Sequence, residues 1–122
     1  KTGEYLATRR QFDAPLASFQ VLQHRRVDMF EAVEASRSML LLAALQADNP
    51  VAAERARAVS AAKVAISEHA CYVARQGVQL HGGVGMTEEL DIGHYFRRLT
   101  LFQHGFGGTD HHLQRFTALR AV

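Results

Sequence analysis

The chain has 122 residues, 48% of them hydrophobic and 21% charged, with one cysteine, two prolines and no tryptophan. This length holds one domain or part of one. The formal net charge of +2 is too small for a nucleic-acid-binding signature, and the single cysteine excludes an internal disulfide. The longest apolar run, Met39 to Leu45, is far too short to span a membrane. Few prolines and abundant alanine and leucine favour an all-α protein.

Two long helices dominate the predicted structure. Residues 1–10 have the pattern of a helix end whose beginning is missing. Pro15 can open a second helix that extends to about Ala47. A turn at Asp48-Asn49-Pro50 precedes a third helix, which runs to about Leu80. The apolar stripes of the two long helices predict the core positions Phe19, Leu22, Met29, Val33, Ser36, Leu40 and Ala44, then Val59, Ala62, Ile66, Ala70, Val73 and Gly77.

The glycine-rich stretch from Val78 to Thr87 ends the third helix. Gly82 and Gly83 stop the helix because glycine takes backbone angles that other residues avoid. Thr87 is a natural N-cap for a fourth helix that reaches about Phe102. On spacing alone, the stretch is either a simple helix stop or a place where the backbone approaches a flat or anionic ligand.

A last short helix follows the loop Gly105-Phe106-Gly107-Gly108, with Thr109 or Asp110 as its cap. The sequence thus predicts an all-α, up-down antiparallel helical bundle with a truncated first helix. Since the chain begins at Lys1 without a methionine, we expect residues 1–122 to form a single domain from a longer subunit. A bundle that lacks one wall exposes an apolar groove and tends to oligomerise.

Six short motifs occur together in one order along nearly the whole chain. They are Thr8-Arg9-Arg10-Gln11-Phe12-Asp13, Phe19-Gln20, Val27-Asp28-Met29, Ala35-Ser36-Arg37, Gln79-Leu80-His81-Gly82-Gly83-Val84-Gly85 and Tyr95-Phe96-Arg97-Arg98. Each motif is weak alone, but in this order and spacing the chain resembles the C-terminal helical domain of the acyl-CoA dehydrogenase family. The resemblance is nearest to the small-subunit type of bacterial heteromeric enzymes, such as pimeloyl-CoA dehydrogenase.

The resemblance implies the last third of a subunit that binds FAD and oxidises an acyl-CoA thioester at its α,β carbons. It further implies a homo- or hetero-oligomer (dimer or tetramer), electron-transfer flavoprotein as the electron acceptor, no metal, no membrane span and a cytoplasmic location in a bacterium. The implied contacts to the ADP half of FAD, shared across a subunit interface, are Arg9, Gln11, Phe12, Phe19, Gln20, Gln79, Leu80, His81, Gly82, Gly83 and Thr109.

Several of these residues have simpler interpretations. Arg9 can be a solvated cation at a helix end, although its planar, permanently charged fork suits a diphosphate. Phe12 and Phe19 can be core residues. The family glycine after Phe12 is Asp13 here, which predicts a negative charge near the diphosphate.

The family base, a glutamate before the final helix, falls on Gly107, or on Phe106 with a different gap, and neither side chain accepts a proton. Two readings remain open. The chain belongs to a catalytic subunit whose base lies upstream, or to a non-catalytic subunit of a heteromeric enzyme. A third possibility is a helical interaction module without a cofactor.

Histidines near the C-terminus raise the question of a metal site. Consecutive helical residues such as His111 and His112 point about 100° apart and do not readily share an ion. His69, in the stripe of the third helix, is expected to be a packed histidine, and Cys71 a small buried residue.

Overall fold

A computed structural model describes residues 1–119. The α-helices are α1 (Thr2–Thr8), α2 (Gln20–Gln46), α3 (Ala52–His81), α4 (Ile92–His104) and α5 (Thr109–Ala118). Strands β1 (Arg10–Gln11) and β2 (Ala14–Pro15) form a small hairpin after α1, and 3₁₀ turns cover Leu16–Ser18 and Gly82–Met86. The predicted all-α bundle with a short first helix is confirmed.

Helix α3 is the central element, because α1, α2, α4 and α5 all pack against it. Its buried positions are mostly small, and they include Ser60, Ala62, Ser67, Cys71, Ala74 and Gly77. Small side chains let the neighbouring helix backbones approach closely. Leu6 of α1 is completely buried, so the short first helix is anchored by one leucine.

The predicted core stripes are only partly correct. Ala62 and Gly77 are buried, whereas Leu40 is 60% exposed and Val59 is 44% exposed. On α2 the buried residue is Ala32, and Leu41 and Leu45 are exposed. Leucine in helical spacing predicts an apolar face but does not tell which partner covers it. The prediction of an exposed apolar groove named no helix, and the structure has exposed leucines on α2.

The second helix begins five residues later than predicted, because residues 10–15 form a hairpin. Arg10 pairs with Pro15 and Gln11 with Ala14. The two loop residues, Phe12 and Asp13, have φ values of 54° and 59°. Two positive φ values in a two-residue loop match the type I′ turn that suits the twist of antiparallel strands. Strands of two residues are too short to give an alternating pattern.

The fourth helix begins at Ile92, not at Thr87. The Thr87 hydroxyl donates to the Val84 carbonyl oxygen at 2.9 Å and accepts from the Glu89 amide at 3.3 Å. Thr87 therefore closes the 3₁₀ turn instead of capping a helix, which is a common local alternative for threonine. The prediction that Thr109 or Asp110 caps the last helix is also wrong, since Gly108 is the N-cap and Thr109 is the first helical residue.

Candidate functional site

A cleft of about 740 Å³ lies where α1, the hairpin, the first turns of α2 and the end of α3 meet. The 3₁₀ segment Gly82–Met86 forms part of its wall. Its lining residues are Tyr5, Arg9, Gln11, Leu16, Val21, Leu22, Arg25, Gln79, Leu80, His81, Gly82, Gly83, Val84 and Leu90.

Seven of the eleven cofactor residues implied by the sequence line this cleft. They are Arg9, Gln11, Gln79, Leu80, His81, Gly82 and Gly83. Arg9 and Gln11 precede the group 79–83 by about 70 positions in the sequence. The two groups meet because α3 runs antiparallel to α2 and packs along it. The fold thus assembles the two main motifs into one concave surface.

The other four residues are not among the lining residues. Phe12 is 87% exposed, so its interpretation as a core residue is wrong, and its ring meets that of Phe19 edge to face at 6.2 Å between centroids. Gln20 is exposed in the first turn of α2. Thr109 lies in the first turn of α5, and its buried hydroxyl has no hydrogen-bond partner within residues 1–119.

The charged side chains that line the cleft are two arginines, Arg9 and Arg25, and no aspartate or glutamate of the described chain is among the lining residues. Asp13, which was expected to add a negative charge, is exposed at the hairpin loop and does not line the cleft. Its carbonyl oxygen accepts a hydrogen bond from Arg10 Nη2 at 2.7 Å. The cleft is therefore suited to an anion.

The glycines of the 3₁₀ segment have different structural roles. Gly82 has a φ of 63° and a ψ of −146°, a region open essentially to glycine alone. A Cβ atom on Gly85 would lie 2.8 Å from the Val78 carbonyl oxygen and 2.9 Å from His81 Cβ. A Cβ on Gly83, by contrast, would meet nothing within 4 Å in the described structure. Packing within the domain does not require glycine at 83.

His81 is buried and held in place on two sides. Its Nδ1 lies 2.7 Å from the carbonyl oxygen of Gly77, which only accepts, so Nδ1 carries the proton. Its ring stacks on that of Tyr5 at 4.5 Å, and the Tyr5 hydroxyl donates to the His81 carbonyl oxygen at 3.3 Å. These contacts fix the end of α3 against α1, and with it the position of the glycines that follow.

Arg25 lines the cleft but was not among the site residues predicted from the sequence. It is half-buried, and its Nη1 donates to Gln76 Oε1 of α3 at 3.3 Å. A signal was present in the sequence, because Arg25 follows the apolar residue Leu22 by three positions and so lies on the same helix face.

The loop before α5 has a geometry that disfavours a glutamate. Gly107 has a φ of 97°, and a Cβ there would lie 2.7 Å from His111 Cδ2 and 3.2 Å from His112 Nε2. Phe106 also has a positive φ, 57°, and its ring is fully exposed. The neighbouring acid, Asp110, is exposed in the first turn of α5. The loop as folded holds no proton acceptor at the expected base position.

Residues 1–119 include neither a metal-ligand cluster nor a membrane-spanning helix. Within residues 1–119, no group of three or more histidine, cysteine, aspartate or glutamate side chains is placed to hold a metal ion. Over the same range, no helix is both long and apolar enough to cross a bilayer. His69 is half-buried, and its Nδ1 lies 3.2 Å from Ser36 Oγ, whereas Cys71 is buried as expected.

The fold and cleft define a helical bundle domain with a cleft lined by two arginines, and comparison with known proteins specifies the family. Residues 1–120 match the family model described as acyl-CoA dehydrogenase, C-terminal domain. The chain therefore belongs to the acyl-CoA dehydrogenase family, whose members are FAD-dependent oxidoreductases that act on acyl-CoA and form oligomers.

Individual relatives agree with this assignment. Acyl-CoA dehydrogenase IpdE2 of Mycobacterium tuberculosis is 39% identical over 97 residues, which are 80% of this chain and 28% of that protein. A variant of the Tcur3481-Tcur3483 steroid ACAD has a TM-score of 0.90 at 32% identity and covers 97% of this chain and 32% of its own. The FAD complex of PigA has a TM-score of 0.86 at 26% identity, with 98% of this chain and 32% of its own covered. The chain thus spans about a third or less of these proteins.

Proposed function

We propose that this domain forms one wall of the site for the ADP half of FAD, in an oligomeric acyl-CoA dehydrogenase whose subunits each include it as their C-terminal third. The observation that carries the proposal is the cleft itself. Arg9 and the Gly82-Gly83 backbone line one surface on which no acidic side chain of residues 1–119 lies. FAD, when bound, supplies the acceptor for the hydride removed from the acyl-CoA thioester.

The residues of the cleft fit the chemistry of a dinucleotide. An arginine offers a planar, permanently charged donor fork to phosphate oxygens. Gly83 keeps the surface clear although a Cβ there would meet no atom of residues 1–119 within 4 Å, which is expected where a ligand approaches the backbone. Gln79 is exposed on the same wall and offers an amide donor and acceptor. The similar fold of PigA, which is known as an FAD complex, supports this proposal.

The substrate and partners follow from the family. We infer an acyl-CoA thioester as substrate, electron-transfer flavoprotein as electron acceptor, and a second subunit that holds the remaining part of FAD across the interface. The exposed leucines of α2 support an oligomer, because apolar side chains in such number on one helix are normally covered by a partner.

The test uses the full-length subunit, purified with its natural partner subunits. Arg9→Ala should lower the ratio of bound FAD to protein, measured by visible absorbance after gel filtration, because one charged phosphate contact is lost. Arg10→Ala is the matched control, since Arg10 is adjacent but bonds the hairpin carbonyl of Asp13 and does not line the cleft. Equal FAD retention in the two variants would contradict the proposed cofactor site.

A second candidate is a non-catalytic subunit of a heteromeric enzyme, favoured by the geometry of Gly107. Its φ of 97° strains any residue with a Cβ, and a Cβ there would lie 2.7 Å from the His111 ring, so a base at that position is disfavoured. Anaerobic addition of acyl-CoA to the full-length subunit alone, and then with its partner, separates the candidates. Flavin bleaching in the subunit alone supports a catalytic subunit with its base elsewhere. Bleaching only in the presence of the partner supports the non-catalytic role.

A further inference from the structure

We propose that Arg25 is a second cation for the diphosphate of FAD, with Gln76 as the residue that positions it. The inference rests on the proposed function of the cleft and adds a residue that the family motifs in this sequence do not contain. It follows from the position, burial and unused hydrogen-bonding capacity of the Arg25 side chain.

Arg25 lies where a ligand in the cleft can reach it. It projects from the second turn of α2, lines the same cleft as Arg9 and Gly83, and is half-buried. Arg26, the next residue, is exposed and does not line the cleft, and its Nη2 would lie 3.3 Å from a Cβ on Gly3 of α1. Helix α2 thus points one of two adjacent arginines into the cleft.

The guanidinium of Arg25 has few partners within the domain. Its one side-chain hydrogen bond within residues 1–119 goes to Gln76 Oε1 at 3.3 Å, and no carboxylate of the described chain forms an ion pair with it. The nearby carboxylate of Asp28 accepts from the Tyr72 hydroxyl at 3.5 Å instead. A guanidinium has five N–H donors. A half-buried cation without a counter-ion is stabilised when an anion binds next to it.

The charges of the cleft match those of a diphosphate. The FAD diphosphate has two negative charges, and the cleft has two arginines and no acidic lining residue within the described chain. Gln76 is one helical turn before Gln79 on α3, so the carboxamide that contacts Arg25 belongs to the helix that ends in the glycine segment. Arg25 therefore contacts α3, the helix that Gly83 follows.

The experiment is a titration of the full-length assembly with FAD and with ADP, after the bound flavin has been removed. FAD and ADP affinities are measured by fluorescence and calorimetry at several salt concentrations, for the parent protein and for Arg25→Gln. We expect Arg25→Gln to weaken FAD and ADP binding by about 10-fold to 100-fold, the effect of removing one charged hydrogen-bond partner. It should also lower the dependence of log Kd on log salt concentration and leave the affinity for adenosine unchanged.

Arg26→Gln is the matched control and should bind FAD within a factor of two of the parent protein. The thermal unfolding of flavin-free Arg25→Gln should lie close to that of the parent, because within residues 1–119 the substitution removes one 3.3 Å hydrogen bond to Gln76 and no ion pair. Weaker FAD binding with an unchanged salt dependence would show a merely structural effect and overturn the inference.

The outcomes for Arg9 and Arg25 distinguish the two proposals. If Arg9→Ala weakens FAD binding and Arg25→Gln does not, the inference about Arg25 is wrong and the proposed cofactor site stands. If neither substitution changes FAD binding, both the proposed site and the inference are wrong.

Discussion

The imidazole of His112 donates from Nε2 to the carbonyl oxygen of Phe106 at 2.9 Å. Because a carbonyl oxygen only accepts, Nε2 carries the proton, and Nδ1 accepts from the hydroxyl of the fully buried Ser60 at 3.3 Å. The buried histidine thus connects α3 to the loop 105–108 and holds that loop in its positive-φ conformation.

His112→Ala should lower the free energy of unfolding by about 2 to 4 kcal/mol, because it removes two hydrogen bonds and leaves a buried hydroxyl without its partner. Urea unfolding measures the effect. The adjacent residue His111 is exposed, and His111→Ala should change stability by less than about 0.5 kcal/mol. Similar losses in both variants would show that the network with Ser60 is not what stabilises this end of the domain.

Gly107→Ala should destabilise the domain by about 1 to 3 kcal/mol, because its φ of 97° is unfavourable for alanine and the new Cβ would lie 2.7 Å from the His111 ring. Gly93→Ala is the control within a helix. It lies in the first turn of α4, and its Cβ would meet nothing within 4 Å in the described structure. That variant should gain about 0.4 to 1 kcal/mol. Thermal unfolding should give a lower unfolding temperature for Gly107→Ala and a higher one for Gly93→Ala than for the parent protein.

Gly83→Val should abolish or strongly reduce FAD binding by the full-length assembly without lowering its unfolding temperature. The added side chain meets no atom of the described domain within 4 Å of its Cβ, yet it occupies the proposed ligand surface. Gly85→Ala, by contrast, should lower the unfolding temperature, because its Cβ would lie 2.8 Å from the Val78 carbonyl oxygen. Full FAD binding by Gly83→Val would remove the glycine segment from the proposed site.

The pKa of the Glu88 carboxyl lies below its ordinary value of 4.5, chiefly because Arg97 Nη1 donates a hydrogen bond to it at 3.3 Å. Since the folded state has the lower pKa, the pair stabilises the fold above pH 4.5, and this contribution is lost as the pH falls through the lowered pKa. NMR titration of the Glu88 carboxyl should show the depressed pKa, and Arg97→Gln should return it toward 4.5. Arg98→Gln is the control, and an identical pKa in the parent and in Arg97→Gln would contradict the pairing.

The exposed leucines of α2 predict self-association. Leu41 and Leu45 are 63% and 80% exposed, and Leu41→Glu with Leu45→Glu should shift the protein toward smaller species in sedimentation velocity, because buried charge opposes assembly. Gln114→Glu, on the exposed surface of α5, adds a charge elsewhere and should leave the distribution unchanged. An unchanged distribution in the double variant would place the interface on another face.

The sequence by itself determined the helical class, the two long helices and the end of α3 at the glycines. Helix α3 ends within one residue of the predicted position, because Gly82 adopts a conformation that is essentially restricted to glycine. The family followed from six motifs in order. The predicted cofactor contacts of all eleven residues stay predictions, and Phe12, Phe19, Gln20 and Thr109 are not among the residues that line the cleft.

Only the tertiary structure decided which residues share a surface. Arg9 and Gly83 are far apart in sequence and meet in one cleft because α3 folds back along α2. The local hairpin leaves Asp13 outside the lining of the cleft, whereas the packing of α2 against α3 places Arg25 in it. Local pattern also could not decide whether Thr87 caps a helix or closes a turn, since both bonds use the same hydroxyl and the surrounding packing selects between them.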